Sequence, residues 1–143
     1  MAARPILSIT RVLTFAASHR LYNPDWPDER NDEVFGKCNN FYGHGHDYEV
    51  WVTLRGPVDA ETGMIVNLNQ VDRVARREIV EPCDHRHLNI DVDFLRGINP
   101  TTENLAVAFW RRLAPHFGGL LHEVRVQENP RNWSVYRGEE EGA

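Results

Sequence analysis

Residues 7–19 read LSITRVLTFAASH, with Leu7, Ile9, Arg11, Leu13, Phe15, Ala17 and His19 at the odd positions and mostly Ser and Thr at the even ones. Successive side chains of a strand point to opposite faces, so this alternation predicts a half-buried β-strand. It also leaves His19 at the end of the apolar face. The pattern returns at Tyr48, Val50, Val52 and Leu54, with Glu49, Trp51, Thr53 and Arg55 facing the other way, which predicts a second strand closed by RGPVDAETG. Between them, LYNPDWPDERNDE is polar and carries prolines, and is expected to be a loop.

Further along, Leu68, Val71, Ala75 and Ile79 fall at helical spacing, and Pro82 is expected to stop that helix. PCDHRHLNIDVDF shows no period. A second helix is predicted after Pro100, capped by Thr101 or Thr102 and running through Leu105, Phe109 and Leu113. Two closing strands follow, LHEVRVQE and NWSVYRG, separated by a turn at Asn129-Pro130. The order ββααββ predicts an α+β fold: an antiparallel four-stranded sheet with two helices on one face, in one domain over residues 1–143.

A net charge of −5 offers no electrostatic footprint for nucleic acid. Two cysteines do not make the framework of a disulfide-rich secreted domain. Ser8, Thr10 and Arg11 interrupt the early apolar run before it forms a signal-peptide core. No segment has the length to span a membrane. The cytoplasm, where thiols stay reduced, is the expected location.

Chemistry concentrates in FGKCNNFYGHGHDYE, residues 35–49. On an extended segment His44 and His46 project to one side, and Gly43 and Gly45 let the backbone turn around them. A zinc ion needs a third protein ligand, and a catalytic site keeps a fourth position open. His19, ending the apolar face of the neighbouring strand, is the natural third. Imidazole suits nickel, copper and iron as well. Cys38 stands either as a fourth ligand that closes the site or as a free thiol beside an open one.

CDHRHLN offers Asp84 and His85 just past the first helix. Near Cys38, that carboxylate would orient the imidazole and the imidazole would take the thiol proton. Taken alone, the same residues fit a capped turn with solvated histidines. Cys83 is expected to pack as a small hydrophobe. Glu128 ends an apolar strand face, where a carboxylate needs a partner; two parallel hydrogen bonds from a guanidine-like pterin edge would supply one. Glu103, in the first turn of the second helix, is favoured there by the helix dipole.

FAASHRLY, FGKCNNFYGHGHDYEV, TGMIVNL, CDHRHLN, PTTENLAVAFW and VQENPRNWSVYRGE, in this order and spacing, resemble the 6-pyruvoyl-tetrahydropterin synthase / 6-carboxytetrahydropterin synthase family. The resemblance implies a tunnelling fold whose subunits join edge to edge into a trimeric barrel. Two barrels stack into a homohexamer, a dimer of trimers, with active sites between subunits. It implies Zn2+ on His19, His44 and His46, proton transfer by Cys38, Asp84 and His85, and a pterin held by Glu128 with Glu103 as a second site carboxylate.

The implied reaction converts 7,8-dihydroneopterin triphosphate to 6-pyruvoyl-tetrahydropterin with loss of triphosphate, a carbon–oxygen lyase step of tetrahydrobiopterin-type biosynthesis. Lys37 and Arg20 are the basic residues expected near the phosphates. The alternative is the 6-carboxytetrahydropterin synthase of queuosine and deazapurine biosynthesis, which acts on the same substrate and releases acetaldehyde. The C-x5-H-x-H spacing and intact GKCNN resemble the pyruvoyl-forming type; Asn129-Pro130, where that type usually has Thr after the Glu, departs from it.

Overall fold

A computed structural model describes residues 2–142. Strands β1 (Ile6–His19) and β2 (His44–Pro57) form a long antiparallel pair. Helix α1 (Asp28–Phe35) lies in the connection between them. Helix α2 (Leu68–Ala75) runs on through a wider π turn, Arg76–Val80, into a single helical turn, α3 (Glu81–Cys83). A two-residue strand β3 (Arg86–His87), helix α4 (Thr102–Phe117), and strands β4 (Leu121–Asn129) and β5 (Asn132–Tyr136) complete the order. The sheet order is β3-β1-β2-β4-β5, antiparallel except where β3 lies parallel to β1.

Alternation in β1 and β2 builds the core. Leu13, Phe15 and Ala17 of β1 and Tyr48, Val50, Val52 and Leu54 of β2 are buried beneath Val71, Val74 and Ala75 of α2 and Leu105, Phe109 and Leu113 of α4. Each large aliphatic side chain buried there contributes about 1.5–3 kcal/mol. The opposite sheet face is more polar. On it Arg125 lies over the rings of Trp51 and Trp133, at 4.4 and 4.0 Å from their centroids.

Three features differ from expectation, each for a local reason. The sheet has five strands, not four, because Arg86 and His87 pair with Ala17 and Ser18; two residues are too few for alternation to register. There are three helices of two turns or more, because the expected loop contains α1. That helix starts at Pro27, whose carbonyl accepts from Arg30 and Asn31, and carries Asp28 and Glu29 in its first turn, a favourable start with no apolar stripe to announce it. Pro82 ends the second helical stretch one residue later than a strict stop. Proline cannot donate to the Glu78 carbonyl, and Arg112 Nε donates to it instead at 3.2 Å.

Candidate metal and proton-transfer site

The β1–β2 register places His19 directly opposite His44, and Ala17 opposite His46. The antiparallel ladder therefore brings the three histidines together at the end of the inner face. One nitrogen from each lies within 4.8 Å of the others, a group that includes neither Cys38 nor Glu128. His19 Nε2 and His44 Nε2 are 3.1 Å apart. Gly43 makes the approach to β2 feasible: its φ is +81°, and a Cβ there would lie 2.9 Å from the His19 carbonyl oxygen.

These residues fit a metal ion. His19 is fully buried, and its Nδ1 bonds the Pro100 carbonyl at 2.8 Å, which leaves the lone pair on Nε2. His46 Nε2 is buried with no hydrogen-bond partner. Burial first, then His44 and His46, hold His19 down at about 4, while the Pro100 carbonyl and Glu128 pull the other way. His44 is lowered by burial and by His46. His19 and His44 are thus held towards the neutral form, the state in which imidazole binds metal.

The β4–β5 ladder slips between Gln127 and Asn129, and this irregularity lies at Glu128. Glu128 Oε2 is 3.7 Å from His46 Nε2 and 3.9 Å from His19 Nε2, while Oε1 accepts from Asn132 Nδ2 at 2.9 Å. Glu103 accepts from Thr102 Oγ1 at 2.8 Å and Ser134 Oγ at 3.3 Å, and the Thr102 hydroxyl is the main cause of its lowered pKa. Asn132 and Ser134, two places apart on one face of β5, thus hold the two carboxylates.

Asp84 and His85 form a pair. Asp84 Oδ1 accepts from the Ala16 amide at 3.0 Å, and Oδ2 lies 3.0 Å from His85 Nδ1. Those contacts, the Ala16 amide first, hold the Asp84 carboxyl below its ordinary range. His85 has φ +59°, the one positive φ outside glycine among the described residues. Such a conformation costs about 1–3 kcal/mol and gathers at functional sites. The imidazole is 83% exposed and faces a cleft of about 620 Å³ shared with His46, Asp47 and His87.

Cys38 sits in a 3₁₀ turn, Gly36–Asn39, tied to the end of β1 by its carbonyl, which accepts from Leu21 at 2.8 Å. It is partly exposed, and no hydrogen bond joins it to His85 among the described residues. Its neighbours Lys37 and Asn39 line a second cleft, about 780 Å³, with Arg20 and His44. Arg20 is already committed to Asn39, at 3.0 Å from its carbonyl, and stacks on Tyr22 at 4.0 Å. Cys83 is fully buried, and burial pushes its thiol up to about 12, as expected of a packing residue.

Tyr48, Pro100, Asn132 and Ser134 were not singled out from sequence. Tyr48 had a signal, standing two places beyond His46 on the same face. Pro100 acts through its backbone, and the β5 pair acts only through partners on other elements.

A mixed sheet backed by helices on one face, with three histidines at the end of its inner face that could hold a metal ion and a Cys, an Asp–His pair and two carboxylates around them, defines an α+β protein with a candidate metal site. The chain matches the model of the family 6-pyruvoyl tetrahydropterin synthase over residues 8–139, and it belongs to that family. It is 45% identical over 140 residues to the 6-pyruvoyl tetrahydrobiopterin synthase of Drosophila melanogaster, covering 96% of this chain and 83% of the relative. Against the Homo sapiens protein of that name it is 43% identical over 132 residues, covering 92% and 91%. The structure of Caenorhabditis elegans 6-pyruvoyl tetrahydropterin synthase superposes with a TM-score of 0.91 at 37% identity, covering 97% of this chain and 100% of that one.

Proposed function

We propose that this chain converts 7,8-dihydroneopterin triphosphate to 6-pyruvoyl-tetrahydropterin with elimination of triphosphate. The observation that carries the reading is the three-histidine cluster with Glu128 Oε2 within 4 Å of two of its nitrogens, in a chain closely similar to relatives named for that product.

His19, His44 and His46 would hold zinc, which supplies Lewis acidity toward the substrate's side-chain hydroxyls and so lowers the barrier to removing the adjacent C–H proton. Cys38 takes that proton as its thiolate, and His85, oriented by Asp84, exchanges protons with the thiol. Glu128 accepts the 2-amino and ring N–H edge of the pterin, with Glu103 as the second carboxylate. Lys37 is the free basic group facing the phosphates, since Arg20 is engaged by Asn39.

A neighbouring copy completes the site in this reading. Asp84–His85 and the Cys38 turn face separate clefts of one chain. The outer edge of β1 before Ala17 and the free edge of β5 are unpaired, with Ile6, Leu7, Trp133 and Val135 exposed. Trp51 Nε1 and Arg125 Nε, on the sheet face without helices, are buried without partners. Edge-to-edge pairing into a trimeric barrel, and stacking of two barrels into a hexamer, would answer these features. No helix among the described residues is long and apolar enough to cross a membrane. Both cysteines are free, as a reducing compartment such as the cytoplasm would keep them.

The test is incubation of zinc-loaded protein with 7,8-dihydroneopterin triphosphate and mass analysis of products. A pyruvoyl product is expected. A 6-carboxy product with acetaldehyde would establish the alternative chemistry, and no turnover would overturn both.

A further inference from the structure

Tyr48 has no part in the chemistry above, yet its hydroxyl demands a reason. The side chain is fully buried and stacks on Phe15 with centroids 5.0 Å apart and planes 15° apart. Phenylalanine would fill that space equally well, and a buried hydroxyl is costly unless it has a partner. The polar atoms nearest to it are the two ring nitrogens of His19, at 3.2 Å from Nδ1 and 3.5 Å from Nε2.

That pair of distances fixes where the oxygen lies. An oxygen in the imidazole plane, so nearly equidistant from both nitrogens, would overlap the carbon between them. The hydroxyl therefore sits over the face of the ring, and the phenol meets it with planes 89° apart. The in-plane direction of Nδ1 is taken by the Pro100 carbonyl at 2.8 Å. His19 is held from two directions, by a carbonyl in its plane and a hydroxyl on its face. The carbonyl sets the tautomer, and the hydroxyl limits the tilt of the ring. Tyr48 lies under His46 too, with ring centroids 5.6 Å apart.

We propose that Tyr48 is a positioning residue for the three-histidine site, its hydroxyl holding the His19 ring so that Nε2 is aimed at a metal ion before the ion arrives. This rests on the reading that His19, His44 and His46 bind metal. Groups that orient a ligand histidine from outside the coordination sphere typically change metal affinity by about 10–100-fold when removed. Tyr48 is fully buried and acts through His19, which its hydroxyl contacts.

The test is Tyr48→Phe in the full chain, stripped of metal and titrated with Co2+, and with Zn2+ against a chromophoric chelator, with no pterin present. Both ions are expected to bind about tenfold more weakly than to the wild type, with altered visible Co2+ bands. The unfolding midpoint of the metal-free variant is expected to match or exceed the wild type, because the stack on Phe15 is kept. Affinities within twofold of wild type and unchanged Co2+ bands would overturn the proposal while leaving the metal site standing. Failure of the wild type itself to bind either ion would overturn the metal reading and this inference with it. The titration contains no substrate, so its result is independent of the product test.

Discussion

His19 carries more of the site than any other residue, and its burial has a measurable consequence. A free imidazole titrates near 6.5, but burial holds this one at about 4. The unfolded chain therefore binds a proton that the folded chain refuses, so stability rises with pH across that interval. The contribution is fully present above 6.5 and is lost as pH falls towards 4. For the metal-free protein it is on the order of 3 kcal/mol. Thermal unfolding of metal-free protein should accordingly show a midpoint that drops steeply from pH 6.5 to 4. His19→Gln should flatten the profile; equal slopes in the two proteins would assign the acid lability to other groups. The two cysteines show the same effect of environment from the other side. Cys83, sealed in the core, has a thiol raised to about 12 and is inert at neutral pH, whereas Cys38 is partly exposed on a turn beside the site.

At the scale of elements, the start of β2 decides whether the histidines meet. Gly43 has φ +81°, and a Cβ would crowd the His19 carbonyl at 2.9 Å and His87 Nε2 at 3.1 Å. Gly43→Ala is expected to destabilise the fold by about 1–3 kcal/mol and to weaken zinc binding. The checks are urea denaturation of the metal-free variant and metal titration; wild-type behaviour in both would mean that the turn relaxes without moving His44. The long strands and α4 were legible because their apolar residues keep one period for many residues. Helix α1 was not, since DERNDEVF has no apolar stripe, and β3 was too short to show one. Thr101 rather than Thr102 caps α4, its Oγ1 accepting from Asn104 at 3.2 Å, while Thr102 turns to Ser134 and Glu103. Adjacent threonines cannot be told apart until β5 is in place.

At the scale of the whole molecule, the residues proposed for proton transfer face two separate clefts, so the proposed chemistry predicts how chains assemble. If Cys38 of one chain works with Asp84 and His85 of another, Cys38→Ala and His85→Ala chains should each be inactive alone. Co-assembled in equal amounts, they should recover about a quarter of wild-type activity, since that fraction of interfaces combines both intact partners. No recovery in verified mixed oligomers would place the set within one chain. Size-exclusion chromatography with light scattering supplies the mass, expected at six chains. A lysine replacing Val135 on the free edge of β5 should lower that mass, because a charge there opposes strand pairing.

Alternation and helical spacing, which are local properties of the chain, determined the α+β class, the four long strands, two of the helices, and the pairing of His44 with His46 on one face. The same alternation put His19 at a strand end and Glu128 on an inner face. Only the tertiary structure decided that His19 stands opposite His44, because strand register depends on which residues a turn and a core bring together. It also decided that the Pro100 carbonyl and the Tyr48 hydroxyl hold His19, that Glu128 turns towards the histidines at an irregularity in the ladder, and that His85 adopts a left-handed backbone against Ala16. Those contacts join residues far apart in the chain, and a one-dimensional pattern holds no record of distances closed by folding.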